Sequence, residues 1–130
     1  MSIYLDHLIL PVADVERSVR FYRRVFGFRY EPVALVRVSP SLVLQLIPRR
    51  PEVSQHLAFA MSRPEFEETV GRLQAAAIPF GDDFDTVGNM KGPGRAHGSQ
   101  KNGSSIYFED PDRHMLEIMH YEPLEAEPGA

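Results

Sequence analysis

Residues 55–61 read "QHLAFAM" and residues 6–12 read "DHLILPV". In each, a histidine enters a short apolar run of strand length, and the two histidines, His7 and His56, stand 49 positions apart (56 − 7). Each run leads into a helix. Asp14 is a good N-cap for a helix in which Val15, Val19, Tyr22 and Phe26 recur at helical spacing and Gly27 supplies the stop. Ser62 and Glu65 form a capping box for a second helix with the apolar stripe Phe66, Val70, Leu73 and Ala77.

Strands come next in both halves. In the first, whose opening strand over 3–10 is bounded by Pro11, a short strand near 28–31 precedes "VALVRV" at 33–38 and "LVLQLI" at 42–47, paired around "SPS" and bounded by "PRRP" at 48–51. In the second, "IPF" at 78–80 begins a strand, and "SSIYFE" at 104–109 with "HMLEIMHY" at 114–121 makes a closing hairpin around "DPDR". The chain reads as an α+β domain over 1–122, one module written twice, at about 1–50 and 51–122. Two stretches break the repeat. Residues 86–103, "TVGNMKGPGRAHGSQKNG", are long, polar and glycine-rich and suit a mobile binding loop or lid. The acidic, proline-containing tail over 123–130 reads as disordered.

Composition narrows the chemistry. A chain of 130 residues, 43% hydrophobic and 25% charged, can bury a core without staples and has no run of membrane-spanning length. No signal peptide is legible, so the cytoplasm is the expected compartment. A net charge of −4 with no basic stripe argues against a nucleic-acid partner. With no cysteine, the strong metal ligands available are histidines and carboxylates.

Strand parity sorts the polar residues. His7 lies with Leu5 and Ile9, His56 with Ala58 and Ala60, and Glu117 with Met115 and Met119, while Leu57, Phe59, Leu116 and Ile118 face the helices. The face away from the helices therefore carries His7, His56, Glu117, Gln45, Ser105 and Tyr107. A carboxylate on such a face needs a partner or a cation. Two imidazoles and one carboxylate make a set that holds a divalent metal with positions left open. A solvated strand face with hydrogen-bonded histidines is the competing reading. In the insertion, Lys91, Arg95, His97 and Lys101 lie among glycines and could close over an anionic substrate or simply be solvated; Arg37 could enter the same space or face water.

These stretches, from "LDHLILPVADVERSVRFYRRVFGF" at 5–28 through "QHLAFAM" to "SSIYFEDPDRHMLEIMHY" at 104–121, resemble the vicinal oxygen chelate superfamily of glyoxalases, extradiol dioxygenases, fosfomycin-resistance enzymes and bleomycin-binding proteins. The resemblance implies two βαβββ modules forming an open, cup-shaped mixed sheet around a divalent metal, with the helices on the outer face. Carried over by position, the metal ligands are His7, His56 and Glu117. Where glyoxalases take a fourth ligand, this chain has Gln45, a neutral amide expected to make a substrate hydrogen bond or a weak fourth contact. The remaining set is similar to that of fosfomycin-resistance proteins and extradiol dioxygenases. In the former a Ser and a Tyr of "SIYF" contact the phosphonate, here Ser105 and Tyr107. Ile9 stands where those enzymes carry a hydroxyl residue, and the acidic tail lacks their basic one.

The resemblance implies a metal-dependent enzyme, of lyase, isomerase, transferase or dioxygenase type, that acts on a small oxygen-rich substrate with Mn, Fe, Ni, Zn or Co. It also implies a homodimer in which His7 could serve the partner's site. The catalytic acid or base stays open among His97, His114 and His120. The alternative is a metal-free or non-catalytic small-molecule-binding or sequestration protein of the bleomycin-resistance type.

Overall fold

Both helices start where their caps dictate. In the computed structural model, which describes residues 3–96 and 98–122, Asp14 accepts a hydrogen bond from the Arg17 N–H, and Gly27 ends α1 (Val15–Phe26) in the left-handed conformation. Both halves of the Ser62–Glu65 capping box are present ahead of α2 (Arg63–Ala75). His97 and the tail over 123–130 lie outside the described residues.

The chain divides into two compact units: one from the N-terminus to Gln55 together with Asp110–His114, the other His56–Glu109 together with the chain from Met115 onward. In the first, β1 (His7–Val12), β2 (Arg29–Glu31), β3 (Leu35–Ser39) and β4 (Leu42–Pro48) form a sheet in the order β1-β4-β3-β2, with β1 and β4 parallel. In the second, β5 (His56–Ala60), β6 (Phe80–Gly81), β7 (Gly94–Ala96), β8 (Gly103–Glu109) and β9 (Met115–Tyr121) form the order β5-β9-β8-β6, with β5 and β9 parallel. The α+β duplication is therefore present, each module being a strand, a helix and then strands.

The second module has one strand more than the βαβββ pattern. β7 arises inside the glycine-rich insertion and pairs with Gly103–Ser105, while β6 pairs with Tyr107 and Phe108 farther along β8. The insertion is thus not loop throughout. Its glycines permit close approaches: a Cβ at Gly94 would collide with the Asp82 carbonyl oxygen, and one at Gly103 with that of Ala96.

Helix faces differ in detail from their expected stripes. α1 buries Ser18, Val19, Tyr22 and Val25, leaving Val15 and Phe26 half-buried. On this side of α1 the "DPDR" turn supplies Asp112, which takes the Arg17 guanidinium at 3.4 Å and the Ser18 hydroxyl at 3.4 Å. α2 buries Phe66, Thr69 and Leu73, with Val70 half-buried; Ala77 lies beyond the helix end, exposed, at φ 54°. Thr69 tolerates burial because its hydroxyl donates to the Glu65 carbonyl at 2.8 Å.

The same turn is fastened from inside. Asp110, 4% exposed, accepts the Asp112 and His114 N–H groups on Oδ1 and the Tyr22 hydroxyl on Oδ2 at 2.7 Å. His114 belongs to this turn, and β9 begins at Met115. Its Nδ1 accepts from the Gln55 N–H at 2.9 Å and its Nε2 donates to the Pro11 carbonyl at 2.8 Å, which fixes the neutral Nε2–H tautomer.

Candidate functional site

Pairing register brings the second unit's polar residues together. His56 opens β5, and the parallel register sets Ala58 opposite Glu117, so His56 and Glu117 lie on one face, one pair apart. Nε2 of His56 stands 3.0 Å from Oε1 of Glu117. The imidazole is 48% exposed and the carboxylate side chain 9%. Tyr107 sits directly across from Glu117, with its ring edge-on to His56 at 6.2 Å between centroids. Burial first, and then the Glu117 carboxylate, hold its phenol above the ordinary value. The neighbouring Ser105 hydroxyl opposes that rise, although its buried Oγ meets no partner at hydrogen-bonding geometry among the described residues.

The first unit repeats this register with other side chains. In β1 and β4, His7 pairs with Val43 and Ile9 with Gln45, as His56 pairs with Met115 and Ala58 with Glu117. Gln45, half-buried, therefore has the position in its sheet that Glu117 has in the other. His7 is half-exposed, and its Nδ1 lies 2.9 Å from Asp6 Oδ2. A carboxylate at Nδ1 favours the tautomer that leaves Nε2 unprotonated, the form a metal ligand needs. Strand parity does not single out Asp6; its adjacency to His7 is the signal in the sequence that points to it.

Other expected contributors are differently occupied. Arg37 is committed to Glu31, Nε to Oε2 at 3.0 Å and Nη2 to Oε1 at 3.1 Å, with Nη1 on the Ser39 and Pro40 carbonyls. Hydrogen bonds from Arg37 and then Arg29 pull Glu31 down to about 2. Arg95, opposite Ser104 in β7, and Lys91 are both exposed. Gly98 closes toward the polar face of the second sheet: a Cβ there would stand 2.6 Å from the Tyr121 hydroxyl and 3.5 Å from Met119 Cε. His114 is bound on both nitrogens, and His120 turns to the helix side against Phe66, 4.8 Å between ring centroids.

Among the described residues, no group of three or more His, Asp or Glu side chains is gathered to hold a metal. The His56–Glu117 pair nonetheless has suitable chemistry. Glu117 is nearly buried, with His56 at hydrogen-bonding distance and Tyr107 beside it, and a carboxylate retains further lone pairs for a cation. Imidazole and carboxylate donors suit a borderline divalent ion, and a third ligand would complete a face of its coordination.

The sequence matches the family described as the Glyoxalase/Bleomycin resistance protein/Dioxygenase superfamily over residues 4–118. It is 31% identical over 124 residues to metallothiol transferase FosB of Shouchella clausii (strain KSM-K16), covering 88% of this chain and 77% of that protein. It is 28% identical over 125 residues to glutathione transferase FosA of Serratia marcescens, covering 88% and 78%. Among solved structures, oxidase ChaP-H2 superposes with a TM-score of 0.75 at 27% identity, covering 97% of this chain and 98% of that one. No described helix is long and apolar enough to cross a membrane.

Proposed function

The chain belongs to the Glyoxalase/Bleomycin resistance protein/Dioxygenase superfamily, and from that premise we propose that it is an enzyme using a divalent metal, Mn, Fe, Ni, Zn or Co, on a small oxygen-rich molecule. The observation that carries the reading is the 3.0 Å approach of His56 to a nearly buried Glu117 on the strand face shared with Tyr107 and Ser105. His7 is the third ligand in this reading. β1 and β5 are both sheet edges, and the face of β1 bearing His7 exposes Leu5 and Ile9, 58% and 55% accessible. These features favour a homodimer in which a second copy covers that face and His7 completes the site of the partner.

When bound, the metal supplies Lewis-acid polarisation of substrate oxygens. The protein side is binding and orientation. His56 and Glu117 would hold the ion, and Glu117 is itself largely shielded from water. Tyr107 remains protonated through neutral pH and offers its O–H to a substrate oxygen. Ser105 adds a second hydroxyl on the same face, and Gln45 an amide in the first sheet. Lys91 and Arg95 supply positive charge from the insertion for an anionic substrate. The transferase names of two relatives favour addition of a thiol to the activated substrate over ring cleavage.

The test is a turnover screen of Mn(II)-loaded protein with a thiol and a panel of vicinally oxygenated and phosphonate substrates. Turnover that is abolished by chelation and by Glu117→Gln, and restored by metal in the unmodified protein, supports the reading. Stoichiometric metal with no turnover of any panel member would move the assignment to a binding protein.

A further inference from the structure

On the sheet face opposite Glu117, α2 and the segment around Met90 enclose a cavity of about 330 Å³, within the range of small-molecule sites. Its walls are apolar: Phe66, Val70, Phe80, Met90 and Ile106. Phe66, Phe80 and Ile106 are almost wholly buried, so these walls are set by the core. The other end is polar. His120 lines it, 6% exposed, and its buried Nδ1 makes no hydrogen bond among the described residues, although Glu122 Oε1 is 3.3 Å away. A buried imidazole without a partner is costly and marks a place where a ligand group has something to satisfy.

Charge selects the ligand. Arg63, at the rim, divides its guanidinium between Glu67 at 3.2 Å and Glu122 at 3.4 Å. Two carboxylates against one guanidinium leave a surplus negative charge at this end. Lys91, between the lining residues Met90 and Gly92, is exposed, and its charge acts on Asp82. Arg72 is paired with Glu68 on the same helix. We propose that this cavity is a second ligand site, for a small aromatic or aliphatic amine whose apolar body fills the Phe66–Phe80–Ile106 wall and whose ammonium group meets Glu67 and Glu122. No lining residue shares the face of His56 and Glu117, so the site stands apart from the metal reading.

The experiment uses the full chain with ¹³C-labelled Met and Ile methyls, titrated with 2-phenylethylamine and, separately, with phenylacetate, its anionic counterpart. The expected result is saturable shifts at Met90 and Ile106 with the amine in the millimolar range or below, and binding of phenylacetate weaker by about tenfold or more. Val70→Trp, which fills the cavity, should abolish the shifts, and Glu122→Gln should weaken them several-fold. Should Val70→Trp fail to fold, Glu122→Gln, an exchange of near-equal shape, decides alone. Absence of shifts with the amine, equal binding of phenylacetate, or amine binding unaffected by either substitution would overturn the proposal.

Discussion

Replacing Tyr22 by Phe isolates one bond of the turn that leads into the strand carrying Glu117. Tyr22 is fully buried, and its hydroxyl donates to Asp110 Oδ2 at 2.7 Å, with Asp110 itself 4% exposed. The substitution keeps the ring and leaves a buried carboxylate oxygen without its donor. A hydrogen bond to a charged group contributes about 1.5–3 kcal/mol, and full burial means no discount for solvent screening. At an m-value of roughly 1.5 kcal/mol/M, the urea midpoint should fall by about 1–2 M with m unchanged. The bond also has a pH signature. Burial first, and then the charge of Asp110, raise the Tyr22 phenol well above its unfolded value. A folded-state value above the unfolded one gives stability that is fully present below the unfolded value, near 10, and is lost as pH rises through the folded one. Tyr22→Phe should remove that alkaline decline. A midpoint shift below about 0.3 M, within ordinary surface-mutation scatter, or an unchanged alkaline profile, would refute the assignment of this bond as a principal fastening of the turn.

Individual contacts give three further outcomes. Arg37→Ala removes the largest cause of the depressed Glu31 carboxyl, so carboxyl NMR should find Glu31 titrating well above about 2; in the unmodified protein this pair's stabilisation is present above the unfolded carboxylate value and fades as pH falls toward about 2. Gly94→Ala drives a Cβ into the Asp82 carbonyl oxygen, so β7 should separate from β8, with faster amide exchange across Gly94–Ala96 and a cost of about 1–3 kcal/mol, while exchange in β9 stays slow. If His7 serves a partner's site, mixing His7→Ala with Glu117→Ala protein after reversible unfolding should regenerate metal-binding sites that neither variant has alone; no regained sites in a mixture proven to contain heterodimers would place all three ligands in one chain.

Much of this arrangement is legible as periodicity. The caps at Asp14 and Ser62 and the two-residue alternation of the strands depend on local backbone chemistry, and both are present. Parity alone puts Glu117, Tyr107 and Ser105 on one face, and the β8–β9 register agrees. β7 escapes such a reading because Gly94, Arg95 and Ala96 have little β propensity, and the strand exists only by pairing with β8. The buried face of α1 takes in Ser18 and Val25 beside Val19 and Tyr22, and the Ser18 contact with Asp112 of a turn distant in sequence is one that helical periodicity does not show. Polar partnerships such as Glu31 with Arg37 and His114 with Gln55 and Pro11 depend on register and turn geometry, which no single-sequence pattern encodes.

The role proposed for His7, His56 and Glu117 is to hold one divalent metal. Its most direct test is the metal content of untagged protein purified without chelators, beside His7→Ala, His56→Ala and Glu117→Ala prepared identically and shown to be folded. The account predicts close to one equivalent of metal per chain in the unmodified protein and loss of nearly all of it in each variant. Metal retained in all three variants, or no uptake by the unmodified protein on titration with Mn, Fe, Ni, Zn or Co, would contradict it.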